Sequence, residues 1–372
     1  MAQAGGLLSR TSPLLMSFAM SLAFPFGLTQ FRNKVVVITG ASAGVGRATA
    51  EAFARQGAFL GLIARDADAL TDTKAELMRI GAPVAVHACD VADADAVFAA
   101  AAQFERELGP IDVWVNAAMV TVFSAVADMT QDEFRRVTEV TYLGFVHGTL
   151  AALKYMRARN DGTIVQVGSA LAYRGIPLQS AYCAAKFAIR GFTQSLRTEL
   201  EHDGSRVRVS MVQLPGINTP QFDGARAHVG RHPQPVPPVF EPEVPARAIL
   251  RAAREGKAEY WVSRTVAELV LGTMIAPRLI AKYLARTTVE GQMTREPISP
   301  RRPDNLFAPV SRYHRTHGTF GKMAKRHAVT LDADRARFGV VAAGTIATLG
   351  LGFLAGRLAQ RFVTERTQRR IR

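Results

Sequence analysis

Short apolar runs alternate along this chain with longer stretches in which apolar residues recur at helical spacing. A run such as Val35-Val-Val-Ile38 is the pattern of a strand buried on both faces of a sheet, whereas the longer stretches are those of amphipathic helices. Strands are expected near 34–39, 58–64, 83–88, 111–116, 162–168, 206–213 and 259–262. Helices are expected near 45–56, 66–80, 93–108, 131–158, 179–202 and 243–255. Alternation of this kind predicts an α/β fold with a doubly wound parallel sheet. No internal repeat is visible. Between the sixth strand and the last helix lies Ile217–Pro245, whose Pro-Gln-Pro-Val-Pro-Pro (233–238) can continue neither a helix nor a central strand.

Three features on this frame carry chemistry. Tyr182 and Lys186 are four residues apart, one turn from each other on one helix face. Free tyrosine titrates near pH ~10, and a neighbouring ammonium favours the phenolate and lowers that value. The pair therefore reads as a proton donor and acceptor for a carbonyl–alcohol couple. Y-x-x-x-K alone is weak, since surface helices carry it by chance, but two signals support it. Ser169 ends the apolar, β-branched run 163–167 and should point its hydroxyl into the crevice where α/β sheets bind ligands. Thr39-Gly-Ala-Ser-Ala-Gly-Val-Gly46 follows the first strand and opens a helix. Glycines there allow close backbone approach, and the helix N-terminus suits a pyrophosphate.

With these residues the chain resembles the short-chain dehydrogenases/reductases, over roughly Asn33 to Trp261. The family's T-G-x-x-x-G-x-G matches Thr39, Gly40, Gly44 and Gly46, with Ser42, Ala43 and Val45 between them. Its Ser, Tyr and Lys match Ser169, Tyr182 and Lys186, and its adenine-side Asp-Val matches Asp90-Val91. Its Pro-Gly with a following Thr, which seats the nicotinamide carboxamide, matches Pro215, Gly216, Ile217 and Thr219. The resemblance implies a Rossmann fold, a nicotinamide cofactor and a homo-oligomer, with 217–245 where the family places its substrate lid. Two positions depart from it. N-N-A-G reads Asn116-Ala117-Ala118-Met119, and the fourth catalytic residue, usually Asn, reads Thr141. Thr141 has a hydroxyl of shorter reach with which to hold a relay water near Lys186.

Cofactor choice is read at the end of the second strand. NAD-selective versions of the fold put an acid there to accept from the ribose 2′-OH. Here Ala64 holds that position and Arg65 follows, with a planar fork suited to a 2′-phosphate. NADP(H) is expected, with NAD(H) as the alternative. Asp66 opposes this mildly, unless it turns away as the N-cap of the next helix.

Composition adds the outer parts. The chain has 372 residues, 48% of them hydrophobic, enough for one large α/β domain with appendages. Two cysteines, Cys89 and Cys183, provide no disulfide framework or metal spacing, and the Tyr313–His317 cluster, with no third ligand near, reads as a solvated loop rather than a metal pair. The net charge of +15 is uneven: residues 261–372 hold 20 Lys/Arg against 7 Asp/Glu. Nucleic acid and an anionic membrane surface are both candidates for such a segment. Residues 338–356 favour the membrane, being nineteen consecutive positions without a charge, flanked by Arg335, Arg337, Arg357 and Arg361. Five glycines there argue against a buried soluble helix. Residues 11–31 are also uncharged but broken by Pro13, Pro25 and Gly27, and lack a clean cleavage site.

The expected organisation is an apolar extension (1–32), a catalytic domain (33–262), a basic extension (263–337), a membrane-embedded helix (338–356) and a basic tail (357–372). The expected function is membrane-associated, NADP(H)-dependent interconversion of a lipophilic alcohol and carbonyl, with membrane lipid as a partner, no nucleic acid, and the catalytic domain facing the cytoplasm. Thr141 and Met119 motivate the alternative, a dinucleotide-binding scaffold or redox sensor without turnover.

Overall fold

The computed structural model describes residues 30–299, 301–340 and 342. The expected strands form one sheet: β1 (Val35–Thr39), β2 (Phe59–Ala64), β3 (Val84–Ala88), β4 (Ile111–Asn116), β5 (Thr163–Val167), β6 (Arg208–Gln213) and β7 (Glu259–Val262). An eighth strand not expected from sequence, β8 (Thr330–Asp332), runs antiparallel to β7. The order is β8-β7-β6-β5-β4-β1-β2-β3, parallel apart from that edge pair. All five residues of β1 are buried, as its unbroken apolar run demands of a strand covered on both faces.

Helices cover both faces. On one lie α1 (Gly44–Ala54), α2 (Ala67–Arg79) and, later in the chain, the helix Glu243–Glu255; Phe53, Leu70 and Ile249 enter one core cluster. On the other, α3 (Ala94–Glu107) contributes Phe104 to a second cluster. Aspartates open two of these helices. Asp66 accepts from Ala69 N–H at 3.0 Å, and Asp93 accepts from Ala96 N–H at 3.0 Å. Asp66 is thus the N-cap expected of it.

The stretch expected as one helix over 131–158 is broken. It comprises α4 (Gln131–Thr138), a π-helical turn (Glu139–Leu143) and α5 (Gly144–Arg159). Thr141 lies in the π turn, where its hydroxyl both accepts from Val120 N–H and donates to Val120 C=O. A side chain tied sideways to a neighbouring loop is a physical reason for a local π bulge. Farther along α5, a Cβ on Gly148 would lie 2.2 Å from Asn116 Oδ1, so only glycine lets the helix approach β4 this closely. The helix α6 (Ser180–His202) carries Tyr182 and Lys186.

The boundary expected at 262 does not end the fold. α7 is Glu243–Glu255, and α8 (Arg264–Ile275) and α9 (Pro277–Gly291) follow β7 directly. Residues 293–297 pair with 231–233 in the proline-rich region. β8 then returns to the main sheet, and Leu331 and Ala333 join Trp261, Val266 and Val270 in a third apolar cluster. Among the described residues no helix is long and apolar enough to cross a membrane. Most of the expected span 338–356 lies outside the described residues, as does the N-terminal extension up to residue 29.

Ending the chain after Val340 should therefore leave the folded domain intact, whereas ending it after Ala328 should not. The shorter form loses β8 and uncovers Trp261 and the edge of β7. Burial is worth about 1.5–3 kcal/mol per large apolar side chain, so its melting temperature should drop by at least ~5 °C. Equal melting curves for the two truncations would show that β8 adds nothing to the sheet.

Candidate active site

The carboxyl ends of β1, β2, β3, β5 and β6 open on a single cavity of about 420 Å³. Its walls include Ser169, Tyr182 and Lys186, the turn residues Gly40, Ser42, Ala43, Gly44, Val45 and Gly46, and Arg65, Asp90, Val91, Ala117 and Ala118. Pro215, Gly216, Ile217 and Thr219 complete that end. The residues singled out from three separate motifs thus converge, as expected for ligands at the carboxyl edge of a doubly wound sheet.

The glycine turn is tight for identifiable reasons. Gly40 has φ +71°, and a Cβ there would lie 2.7 Å from Ala118 Cα. On Gly46 it would lie 2.1 Å from Gly40 O. The buried Arg47 braces the turn by donating to the carbonyls of Ser42 and His314 and pairing with Glu76 at 2.6 Å. A compact turn leading into α1, whose Val45 and Gly46 N–H groups have no intrahelical acceptor, fits the pyrophosphate of a dinucleotide.

Burial governs the acid–base pair. Lys186 is 2% exposed, and its ammonium donates to Val167 C=O at 2.8 Å, with Nζ 5.5 Å from the Tyr182 ring centre. Desolvation pushes the Lys186 pKa down to about 7. Desolvation also raises the Tyr182 phenol well above its ordinary value, with the Ser169 hydroxyl offsetting part of the rise. The sequence-based expectation was the reverse, a tyrosine lowered by its lysine. The loss of water around both groups outweighs the charge effect, which weakens as the amine itself is driven towards neutrality.

Three expected site residues serve the scaffold. Thr39 Oγ1 accepts from Ala117 and Ala118 N–H at 3.0 and 3.2 Å, holding the post-β4 loop against the glycine turn. The fully buried Asn116 side chain is used by Trp114, Phe145, Thr149 and Gln166, so it has nothing left for a cofactor. Thr141 spends its hydroxyl on Val120, which removes it from a relay at Lys186. Met119, the other departure, lines the cavity. His314 and His317 do not converge on one ion: His314 lies 3.4 Å from Asp66, and His317 pairs with Glu243 at 2.8 Å beside Glu241.

Sequence reasoning missed a buried polar line behind Ser169. Ser169 N–H donates to Gln213 Oε1 at 2.8 Å, and Gln213 Nε2 donates to Glu259 at 2.7 Å. Glu259 also accepts from Tyr173 OH and pairs with Arg337 at 2.6 Å. A Cβ on Gly168 would lie 2.2 Å from Gln213 Oε1. The available signal was Gln213 itself, a long polar side chain closing the Val-Ser-Met-Val run of a central strand. Sequence reasoning also left unassigned the walls supplied from beyond β7. Val266, Leu269 and Leu284 come from α8 and α9, and Asn305, Val310 and Tyr313 from the segment after them.

Comparison with known proteins agrees with this geometry. A model of the family described as short chain dehydrogenase matches residues 34–229. The uncharacterized oxidoreductase YxnA of Bacillus subtilis is 31% identical over 324 residues, covering 87% of this chain and 90% of the relative. Estradiol 17-beta-dehydrogenase 11 of Mus musculus is 30% identical over 278 residues, covering 73% of this chain and 91% of that one. Among solved structures, an alcohol dehydrogenase from the archaeon Thermococcus sibiricus, complexed with 5-hydroxy-NADP, superposes with a TM-score of 0.53 at 29% identity. That match covers 61% of this chain and 94% of that chain. The chain belongs to the short-chain dehydrogenase family and is one of its oxidoreductases.

Proposed function

We propose that the protein interconverts a lipophilic alcohol and its carbonyl with NADP(H), using Ser169, Tyr182 and Lys186. The observation that carries this reading is the convergence of those three residues and the glycine turn on one cavity whose far walls are apolar. A nicotinamide cofactor, when bound, supplies or accepts the hydride. In the reductive direction Tyr182 gives its hydroxyl proton to the carbonyl oxygen, and the Ser169 hydroxyl hydrogen-bonds the same oxygen. Burial keeps the phenol protonated at neutral pH, which is the form this step needs. Oxidation needs the phenolate, and a charged Lys186 amine beside the ring favours it.

NADP(H) is the preferred cofactor in this reading because Ala64 stands where an acid would bind a ribose hydroxyl, and Arg65 follows it. Each terminal nitrogen of Arg65 gives one N–H to a protein carbonyl, Leu306 or Asn305, and keeps a second for a phosphate. The solved neighbour bound to an NADP derivative supports the choice. A lipophilic substrate is supported by Val236, Leu269 and Leu284 in the cavity wall, and by a relative named for estradiol. Membrane attachment through residues 338–356, with the catalytic domain on the cytoplasmic side, would place such a pocket near its substrate; it rests on their lack of charge and arginine flanks.

Three outcomes are expected. Tyr182→Phe should lower turnover by a factor of roughly 10²–10⁴, the usual contribution of a general acid, with NADPH affinity by calorimetry nearly unchanged. Wild-type turnover in the phenylalanine variant would remove Tyr182 from the chemistry.

Lys186→Met should abolish activity yet stabilise the fold at neutral pH. Unfolded lysine titrates at 10.5 and the folded group at about 7. Between those values the folded state binds fewer protons, so stability rises with pH across the window and the full cost of the buried amine is present below about pH 7. The variant's melting temperature should exceed wild type at pH 7 by at least ~2–4 °C, the shift for about 1 kcal/mol in a domain of this size, and the gain should vanish above pH ~10. A gain that does not depend on pH would point to packing instead.

Full-length protein should fractionate with membranes and resist a high-salt wash, while protein ended after Val340 is soluble and still binds NADPH. Release by salt would assign the attachment to surface charge alone, which is screened beyond about 10 Å at 0.1 M.

A further inference from the structure

Residues 302–319 cross the cofactor end of the cavity as a strap, bonded to the glycine turn, to the end of β2 and to the loop after β6. Arg315 C=O accepts from Gly44 N–H at 3.0 Å, at the glycine turn. His314 C=O accepts from Arg47 at 3.0 Å. At the end of β2, Arg65 donates to Asn305 C=O at 2.6 Å and to Leu306 C=O at 3.2 Å. At the end of β3, Leu306 C=O also accepts from Arg136, which pairs with Asp90. The far side is moored on the loop after β6. Asn305 N–H donates to Gly224 C=O at 2.8 Å, Arg302 donates to the carbonyls of Asp223 and Ala225, and Asp304 pairs with Arg226 at 2.9 Å. Asp223 is held from the other end by Arg315 at 2.6 Å and Thr319 at 2.9 Å. Leu306 is fully buried.

This is more than a loop lying on a surface. Two independent features tie it to a ligand. Arg65 is desolvated, which lowers its pKa, and its direction is fixed by strap carbonyls rather than by an acid. Asn305 lines the cavity, and its Oδ1 is buried with no hydrogen-bond partner among the described residues. A buried acceptor without a donor is costly unless something else supplies one, and an exocyclic amine such as that of adenine is a group of the right kind.

We propose that residues 302–319 are a working wall of the cofactor site: they aim Arg65 at the 2′-phosphate and retain the dinucleotide, which leaves only when the strap opens. The proposal rests on the reading of Arg65 and the glycine turn as the NADP(H) site. It makes the strap a determinant of both release rate and NADPH-over-NADH preference, although its moorings at 223 and 319 share no hydrogen bond with Arg65. Mooring residues and reading residues can therefore be changed separately.

The test loosens the moorings without touching the glycine turn or Arg65. Asp223→Asn with Thr319→Val, which removes the Arg315 ion pair and the Thr319 bond, should speed NADPH release, followed by stopped-flow displacement, about tenfold or more, since the bonds removed include a charge-assisted one. The same variant should lose NADPH-over-NADH preference, measured as a ratio of dissociation constants, and adding Arg65→Ala should cause little further loss. In the wild-type protein NADPH should slow tryptic cleavage at Arg312 and Arg315. That readout survives even if the variant folds poorly. If Arg65→Ala alone leaves the NADPH/NADH ratio unchanged, the underlying assignment of Arg65 is wrong. If Arg65→Ala changes the ratio but the loosened strap changes neither ratio nor release rate, the strap proposal is overturned. Unchanged cleavage with and without NADPH would overturn it also.

Discussion

The functional end of this protein depends on the removal of water from one amine and one phenol. Lys186 and Tyr182 sit one helical turn apart in a cleft closed by β5, α5 and the loop after β6, and dehydration opposes the charged form of each. The lysine is driven down to about 7 and the tyrosine upwards. The Val167 carbonyl accepts from the amine at 2.8 Å, one of the three hydrogen bonds that its ammonium form can donate. The pair therefore rests mostly as phenol plus a readily titrating amine. A change in what fills the cleft would change the dehydration and with it the balance between the two directions of the reaction.

Around this pair the sheet acts as a frame whose parts are fixed from behind. Ser169 is held by the line Gln213, Glu259 and Arg337, and the last of these belongs to the chain beyond β8. The glycine turn is held by Arg47, and the loop after β4 by Thr39. Residues beyond β7 thus reach both ends of the cavity. α8 and α9 give it apolar walls, and residues 302–319 bond to its glycine turn and to Arg65. The basic extension is part of the catalytic body.

Much of this was legible in the sequence, because the determining signals are local. Unbroken β-branched runs report strands buried on both faces, and glycines that tolerate no Cβ report the turn. The placements of Ser169, Tyr182, Lys186 and Arg65 on one cavity followed from those signals. What could not be read is what distance in sequence hides. Thr39, Asn116 and Thr141 match functional positions by spacing, yet their side chains are consumed by partners that lie between 2 and 79 residues away. The π turn at 139–143 arises from Thr141 reaching Val120, a tertiary bond with no periodic signature. β8 is a three-residue strand whose pairing, not its composition, makes it one. The direction of the Tyr182 shift was misread for the same reason, since spacing reports a neighbouring charge but not the burial that cancels it.

The central claim is that dehydration, and not the neighbouring charge, sets the protonation of the Lys186–Tyr182 pair. It is tested most directly by titrating the Lys186 amine in the cofactor-free protein, with ¹³Cε-labelled lysine followed by NMR and the resonance assigned through Lys186→Met. The account predicts a midpoint near 7. A midpoint near 10.5, that of an ordinary solvated lysine, would contradict it.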